Sequence, residues 1–174
     1  MKVIICMAFL TFSSNLYANQ ETVKKTPENI IDKSAEAAET IVPIKNMFDA
    51  MREHDGDKLL AQFIEGAILE RANNENKVEN SDLKKFAAMI SKSTRGFDER
   101  IFNITVMQSD NLASVWTPFA FYLDGKLSHC GVNSFQLIKQ EQWKIRYLID
   151  NGHDGDCETF IAHHKSMKAL KSNN

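Results

Sequence analysis

The pair Asp124-Gly125 lies between two long runs in which apolar residues alternate with polar ones, and no other feature restricts the fold as tightly. Both central positions of a two-residue hairpin turn favour positive φ, which aspartate tolerates and glycine adopts freely. Residues 112–123 and 126–139 therefore read as paired strands, with 99–109 and 143–151 as two further strands beside them. Upstream of these strands the period is helical. Ile44, Met47, Phe48 and Met51 recur at three- and four-residue spacing behind Pro43, so 42–54 reads as an amphipathic helix. The run His54-Asp55-Gly56-Asp57 breaks it, and Asp57 or Asp55 caps a short second helix that buries Leu59, Leu60 and Phe63. A short strand over 67–72 and a polar turn at Asn73-Asn74-Glu75-Asn76 come next. Ser81 is positioned to cap a third helix carrying Leu83, Phe86, Ala87 and Ile90, which ends between Lys92 and Gly96. Helices followed by consecutive strands define an α+β domain, with three N-terminal helices packed on one face of a curved antiparallel sheet.

The remaining segments set the boundaries. Residues 1–18 have a lysine near the start, an apolar run from Val3 to Phe12 and a polar end, the layout of a signal peptide. That apolar run is about half of the roughly 20 residues a membrane span requires, so the mature chain is expected to be exported, to the periplasm or outside the cell, without a span. Residues 19–39 read as a flexible polar leader, 40–157 as the domain and 158–174 as a polar C-terminal tail. About 155 residues past the signal suit one domain. A net charge of −2 with no basic stripe argues against nucleic acid as a partner. Cys130 and Cys157 remain after processing and are a candidate disulfide; two separate buried thiols are the alternative.

An unbroken two-residue turn makes opposed residue numbers sum to a constant, which sets Trp116 against Asn133, Ala120 against His129 and Phe119 against Cys130. If Gln140-Glu141-Gln142 is a three-residue loop, Asn133 then meets Ile149, Phe135 meets Tyr147, Gly131 meets Asn151 and His129 meets His153. On this register the helix-covered face carries Trp116, Tyr122, Phe135, Leu137, Trp143, Ile145, Tyr147 and Ile149, interrupted by His129, Asn133, Asn151 and His153. The opposite face mixes Thr117, Phe119, Phe121 and Val132 with Gln136, Lys144, Arg146 and Asp150, as on a half-solvated sheet or a subunit contact. An apolar hollow with a few convergent polar groups is what a small-molecule site looks like. Trp116, Tyr122, His129, Asn133, Asn151 and His153 are the candidates; the alternative is that the polar ones satisfy backbone groups and the aromatic ones are core. His129 and His153 could share a metal only with a third ligand such as Asp154, and without one no metal site is expected. The run Asp150 to Asp156 lacks the glutamate a calcium loop needs and reads as a turn. No dinucleotide fingerprint, phosphate loop or nucleophile elbow is present, so no cofactor is implied.

The order of elements, the segment Phe48 to Phe63 with Gly56-Asp57 before Leu59-Leu60, and the run Val115-Trp116-Thr117-Pro118-Phe119-Ala120-Phe121-Tyr122-Leu123-Asp124-Gly125-Lys126 resemble the nuclear transport factor 2-like superfamily. The likeness continues through His129-Cys130-Gly131-Val132, Phe135-Gln136-Leu137 and Trp143-Lys144-Ile145, and within the superfamily it points to the lumazine-binding branch. It implies a cone-shaped α+β barrel, a pocket between sheet and helices, and frequent homodimers through the sheet. Enzymes on this fold similar to ketosteroid isomerases and polyketide cyclases use a pocket carboxylate as general base, and the corresponding strand position here holds Arg71, which cannot take a proton. Glu70 should face the other way. The expectation is therefore an exported, non-catalytic module for a small apolar or aromatic molecule. An isomerase or dehydratase using His129 or His153 is the alternative.

Overall fold

The computed structural model describes residues 33–171. The signal peptide expected over 1–18 and the first part of the leader lie outside the described residues. Among the described residues five helices and seven strands form in the order α1 (Lys33–Thr40), α2 (Val42–Glu53), α3 (Gly56–Leu60), β1 (Phe63–Ala72), β2 (Val78–Ser81), α4 (Leu83–Lys92), β3 (Phe97–Ile101), β4 (Thr105–Ser109), β5 (Leu112–Leu123), β6 (Lys126–Lys139), β7 (Trp143–Gly152) and α5 (Cys157–Lys171). The strands make one sheet in the order β2-β1-β7-β6-β5-β3, with β4 sharing the same edge of β5 as β3. Its pairs are antiparallel except β1 with β7, which run parallel.

The three expected N-terminal helices form as α2, α3 and α4, and their apolar faces cover one side of the sheet. Ile44, Met47, Phe48 and Met51 of α2 are buried in a core shared with Phe135, Leu137 and Ile145. Phe48 meets Phe135 edge to face with ring centroids 6.4 Å apart, a favoured aromatic geometry. Where α2 ends, His54 adopts a left-handed conformation at φ 56°, and its N–H donates to the Ala50 and Met51 carbonyls that the helix leaves open. Asp55 caps α3 by accepting from the Lys58 N–H at 2.8 Å. Gly56 is required by closeness: a Cβ there would lie 2.5 Å from the Ala87 carbonyl oxygen of α4. Helix α4 is capped by Asp82, not by Ser81, because Ser81 is the last residue of β2 and Asp82 accepts the Lys85 N–H.

Two segments that read as polar extensions are helical. Helix α1 forms the end of the expected leader; its Thr40 is buried and hydrogen-bonds Gln108 of β4, and Glu39 pairs with Lys139. Helix α5 occupies most of the expected tail. It starts at Cys157, which is bonded to Cys130 of β6, and it packs against β5 and β6 with Ile161 buried. Composition hid α5 because only a few apolar residues and one covalent bond hold it to the sheet.

The strand boundaries of β5, β6 and β7 fall where the alternation puts them, but the register does not. The Asp124-Gly125 turn pairs Leu123 with Lys126 and Tyr122 with Leu127 as expected. Ser128 is then left over on β6, so Phe121 faces His129, Thr117 faces Asn133 and Trp116 faces Ser134. On β7, Ile145 faces Leu137 as the three-residue loop requires. Arg146 is then bulged out, and Tyr147 faces Gln136, Leu148 faces Phe135, Asp150 faces Asn133 and Gly152 faces Gly131. A bulge of one residue reverses which side every later side chain occupies. Thr117, Phe119, Phe121, Leu148 and Asp150 therefore point to the helix side, whereas Trp116, Tyr122, Tyr147 and Ile149 are on the other. The expected 99–109 strand is also divided, into β3 and β4, with Asn103 at φ 47° in the break.

Candidate functional site

Between the helices and the β1 end of the sheet lies a cavity of about 320 Å³. Its apolar wall comes from α2 (Met47, Phe48, Met51) and α4 (Phe86, Met89, Ile90), completed by Phe97 and Phe121 from the strands. Its polar groups all come from strands: Glu70 and Arg71 of β1, Glu79 and Ser81 of β2, Glu99 of β3, His129 and Asn133 of β6 and Asp150 of β7. Antiparallel and parallel pairing both keep opposed residues on the same side, so the chain of partners Glu79, Arg71, Asp150 and Asn133 forms one polar row across the sheet.

Two polar pairs organise that row. Arg71 grips Asp150 in a two-point contact, its Nε donating to Oδ1 at 2.8 Å and its Nη2 donating to Oδ2. The hydrogen bond to Asp150 holds the guanidinium above its ordinary pKa, so it is permanently charged. The second pair is Glu99 with Asn133. The amide Nδ2 of Asn133, a residue only 3 % exposed, donates to Glu99 Oε1 at 2.6 Å. Glu99 as a residue keeps partial contact with solvent, while its carboxylate sits deep among protein atoms. Burial pushes its pKa from 4.5 up to about 7; the Asn133 hydrogen bond opposes the rise and the negative Asp150 adds to it. Behind it, Arg52 of α2 donates to the Glu99 backbone carbonyl and to Asp98, which fixes β3 against the helix.

His129 completes the site. Its ring lies between Phe121, with centroids 4.9 Å apart, and Phe119, at 5.8 Å, and Ser128 Oγ is 3.3 Å from Nδ1. Burial lowers its pKa and the nearby Arg71 lowers it further, so the ring is neutral at physiological pH. Glu79 is at the mouth, where Asn73 Nδ2 donates to it at 2.6 Å.

Of the residues singled out from sequence, Arg71, His129 and Asn133 line this cavity. Four others are elsewhere. Trp116 is 52 % exposed on the far face of the sheet, because the Ser128 bulge turns it away from Asn133. Tyr122 shares that far face and stacks under the Arg100 guanidinium, 4.1 Å from its carbon. Asn151 closes a backbone position, accepting the Val132 N–H at 3.0 Å. His153 lies past the end of β7 with its ring 4.6 Å from Phe160 of α5, so it does not oppose His129 and shares no site with it. Among the described residues, no group of three His, Cys, Asp or Glu side chains is arranged to hold a metal.

Glu99 and Asp150 are the residues that sequence reasoning missed. For Glu99 a signal existed. In Phe97-Asp98-Glu99-Arg100-Ile101 the carboxylate has the same parity as Phe97 and Ile101, and a charged residue on an apolar side marks either an error or a site. For Asp150 the signal was absent, since only the Arg146 bulge turns it inward.

No family model matches the chain, and no curated protein matches it. Among solved structures, a candidate scytalone dehydratase from Novosphingobium aromaticivorans superposes with a TM-score of 0.59 at 17 % identity, covering 70 % of this chain and 86 % of that one. The β subunit of a candidate aromatic-ring-hydroxylating dioxygenase from the same organism gives 0.58 at 9 % identity, over 71 % and 94 %. A nuclear transport factor 2-like protein of unknown function from Shewanella baltica gives 0.55 at 13 % identity, over 70 % and 97 %. The chain has the nuclear transport factor 2-like fold; at these identities the likeness concerns the fold alone.

Proposed function

We propose that this chain binds a small, mainly apolar molecule in the cavity beneath α2 and α4, and that Glu99 exchanges a proton with it. The observation that carries the reading is the Asn133–Glu99 hydrogen bond inside a largely apolar wall. A carboxyl group with a pKa of about 7 is present in both protonation states at neutral pH, which is what a general acid or base requires. Asn133 fixes which oxygen is occupied, leaving the other to the ligand. Arg71 cannot be the base; it pairs with Asp150, whose negative charge helps to hold the Glu99 proton. His129, neutral and stacked on Phe121, supplies a second hydrogen-bonding group on the opposite wall. The chemistry is of the isomerase or dehydratase kind, which agrees with the name of one structural neighbour.

The first experiment is native mass spectrometry of the disulfide-bonded protein from its own host, which would identify a retained molecule. Turnover of that molecule should fall by about 10²–10⁴ in Glu99→Gln and partly recover in Glu99→Asp. Turnover unchanged in Glu99→Gln would refute proton exchange at this residue. A molecule held equally well by wild type and variant and never converted would instead support a non-catalytic binding module.

Three coarser features belong to the same proposal. The Cys130–Cys157 bond supports an exported protein working in an oxidising compartment. Trp116, Met107 and Leu112, all more than half exposed on the far face of the sheet, support pairing of two copies through that face. The motif run from Val115 to Lys126 is what supports the lumazine-binding branch, and the ligand is argued from the cavity alone.

A further inference from the structure

We infer that the ligand of this cavity is a hydrophobic ammonium, or a neutral molecule presenting hydrogen-bond donors, and not a carboxylate or phosphate. The inference rests on the reading that the cavity is a ligand site and concerns the charge of what enters it.

Every charged group facing the cavity enters the argument. The strands contribute three carboxylates, Glu79, Glu99 and Asp150, and one guanidinium, Arg71. His129, also in the lining, is kept uncharged by burial and by Arg71. Glu70 also borders the cavity, but its carboxylate is engaged elsewhere, accepting the Tyr147 hydroxyl at 2.6 Å. Helices α2 and α4 add only apolar side chains to the lining. Arg71 would be the natural anchor for an anion, and its two-point Nε and Nη2 face is spent on Asp150. An incoming carboxylate would have to displace Asp150 from a two-point contact and leave that aspartate uncompensated beside Glu99. A cation meets the opposite situation. The carboxylates of Glu79 and Glu99 form no ion pair: amides of Asn73 and Asn133 donate to them, and Arg71 and Arg52 attract Glu99 only through space, Arg52 being bonded to the Glu99 backbone and to Asp98. The faces of Phe97, Phe121 and Phe86 offer further attraction to an ammonium group.

The test uses three probes with one ring system and different charge, titrated calorimetrically into the full disulfide-bonded chain: tryptamine, 3-methylindole and indole-3-acetate. At pH 8 tryptamine should bind at least ten-fold more tightly than indole-3-acetate, with 3-methylindole between them. Lowering the pH to 6 should weaken tryptamine by about ten-fold, the change in the ionised fraction of a carboxyl that titrates near 7, and leave 3-methylindole unchanged. Glu99→Gln should shrink that pH step, and Glu79→Gln, an exposed position with no role in the core, should weaken tryptamine at both pH values. Indole-3-acetate binding as tightly as tryptamine overturns the charge assignment while the cavity reading survives. Failure of all three probes to bind overturns both.

Discussion

Glu99→Gln should make the protein more stable at alkaline pH, and the size of the gain follows from the cavity. In the unfolded chain the carboxyl titrates at its ordinary 4.5, and in the folded protein at about 7. Folding therefore favours the protonated form. The residue contributes nothing adverse below about pH 4.5; a penalty grows as pH rises through the window from 4.5 to 7 and is complete above it. Integrating between pH 5 and pH 8 gives about 2.5 kcal/mol, and water reaching this partly exposed residue reduces the expected figure to about 2 kcal/mol. A neutral glutamine accepts the same Asn133 hydrogen bond and carries no such penalty. The assay is chemical denaturation of wild type and variant at pH 5, 6, 7 and 8 with the disulfide intact. Other groups titrate in both proteins and cancel in the difference. The variant should gain about 2 kcal/mol on wild type across the series, and parallel curves would mean that Glu99 is ordinarily hydrated and the acid-base reading is unfounded. A stabilising substitution that removes activity is the pattern expected where a strained group is kept for function.

Other outcomes follow from the same structure. Replacing Cys130 and Cys157 together by alanine opens a loop with a sequence separation of 27 and should cost about 3–4 kcal/mol in denaturation, with early loss of amide protection in α5. Equal protection of α5 with and without the bond would show that its apolar contacts suffice. Trp116→Ala should change stability by less than about 1 kcal/mol and leave probe binding in the cavity intact, because the indole is on the far face. A loss above about 3 kcal/mol would contradict the register described here.

What could be read from the sequence divides at the level of the single residue. Periodicity was sufficient for the elements: the spacing of Ile44, Met47, Phe48 and Met51 gave α2, and alternation flanking Asp124-Gly125 gave β5 and β6 with their observed ends. These signals are repeated over a dozen residues, so one ambiguous position does not alter them. Helix α5 and strand β2 were not legible, since each is held by a particular contact: the Cys130–Cys157 bond for one and pairing with β1 for the other. Burial shows the same limit. Every residue of β2 is exposed, so its four side chains carry no pattern, and it is a strand only because its backbone pairs with Leu69 to Ala72.

The site was harder to read for a reason that also explains why it exists. In an unbulged sheet the inward positions of β7 would be Tyr147, Ile149 and Asn151, and Asp150 would face away from Arg71. The extra residue at Arg146 exchanges this set for Leu148 and Asp150, and the extra residue at Ser128 brings Thr117 and Phe121 onto the same side as His129 and Asn133. On the other side of the Arg146 bulge Leu137, Trp143, Ile145 and Ala113 remain part of the apolar core. On β6, His129 and Asn133 share unbroken parity with the core residues Phe135 and Leu137. On β7, in contrast, the Arg146 irregularity lets one strand have a greasy end, Trp143 and Ile145, and an end that presents Asp150 to the cavity. Alternation alone cannot specify both, because its parity is fixed along a strand. Deleting Arg146 should test this directly: the strand would regain continuous parity, Asp150 would turn outward, and the Arg71 contact and any ammonium preference would be lost together. Retention of both after the deletion would show that the polar row is set by something other than the bulge.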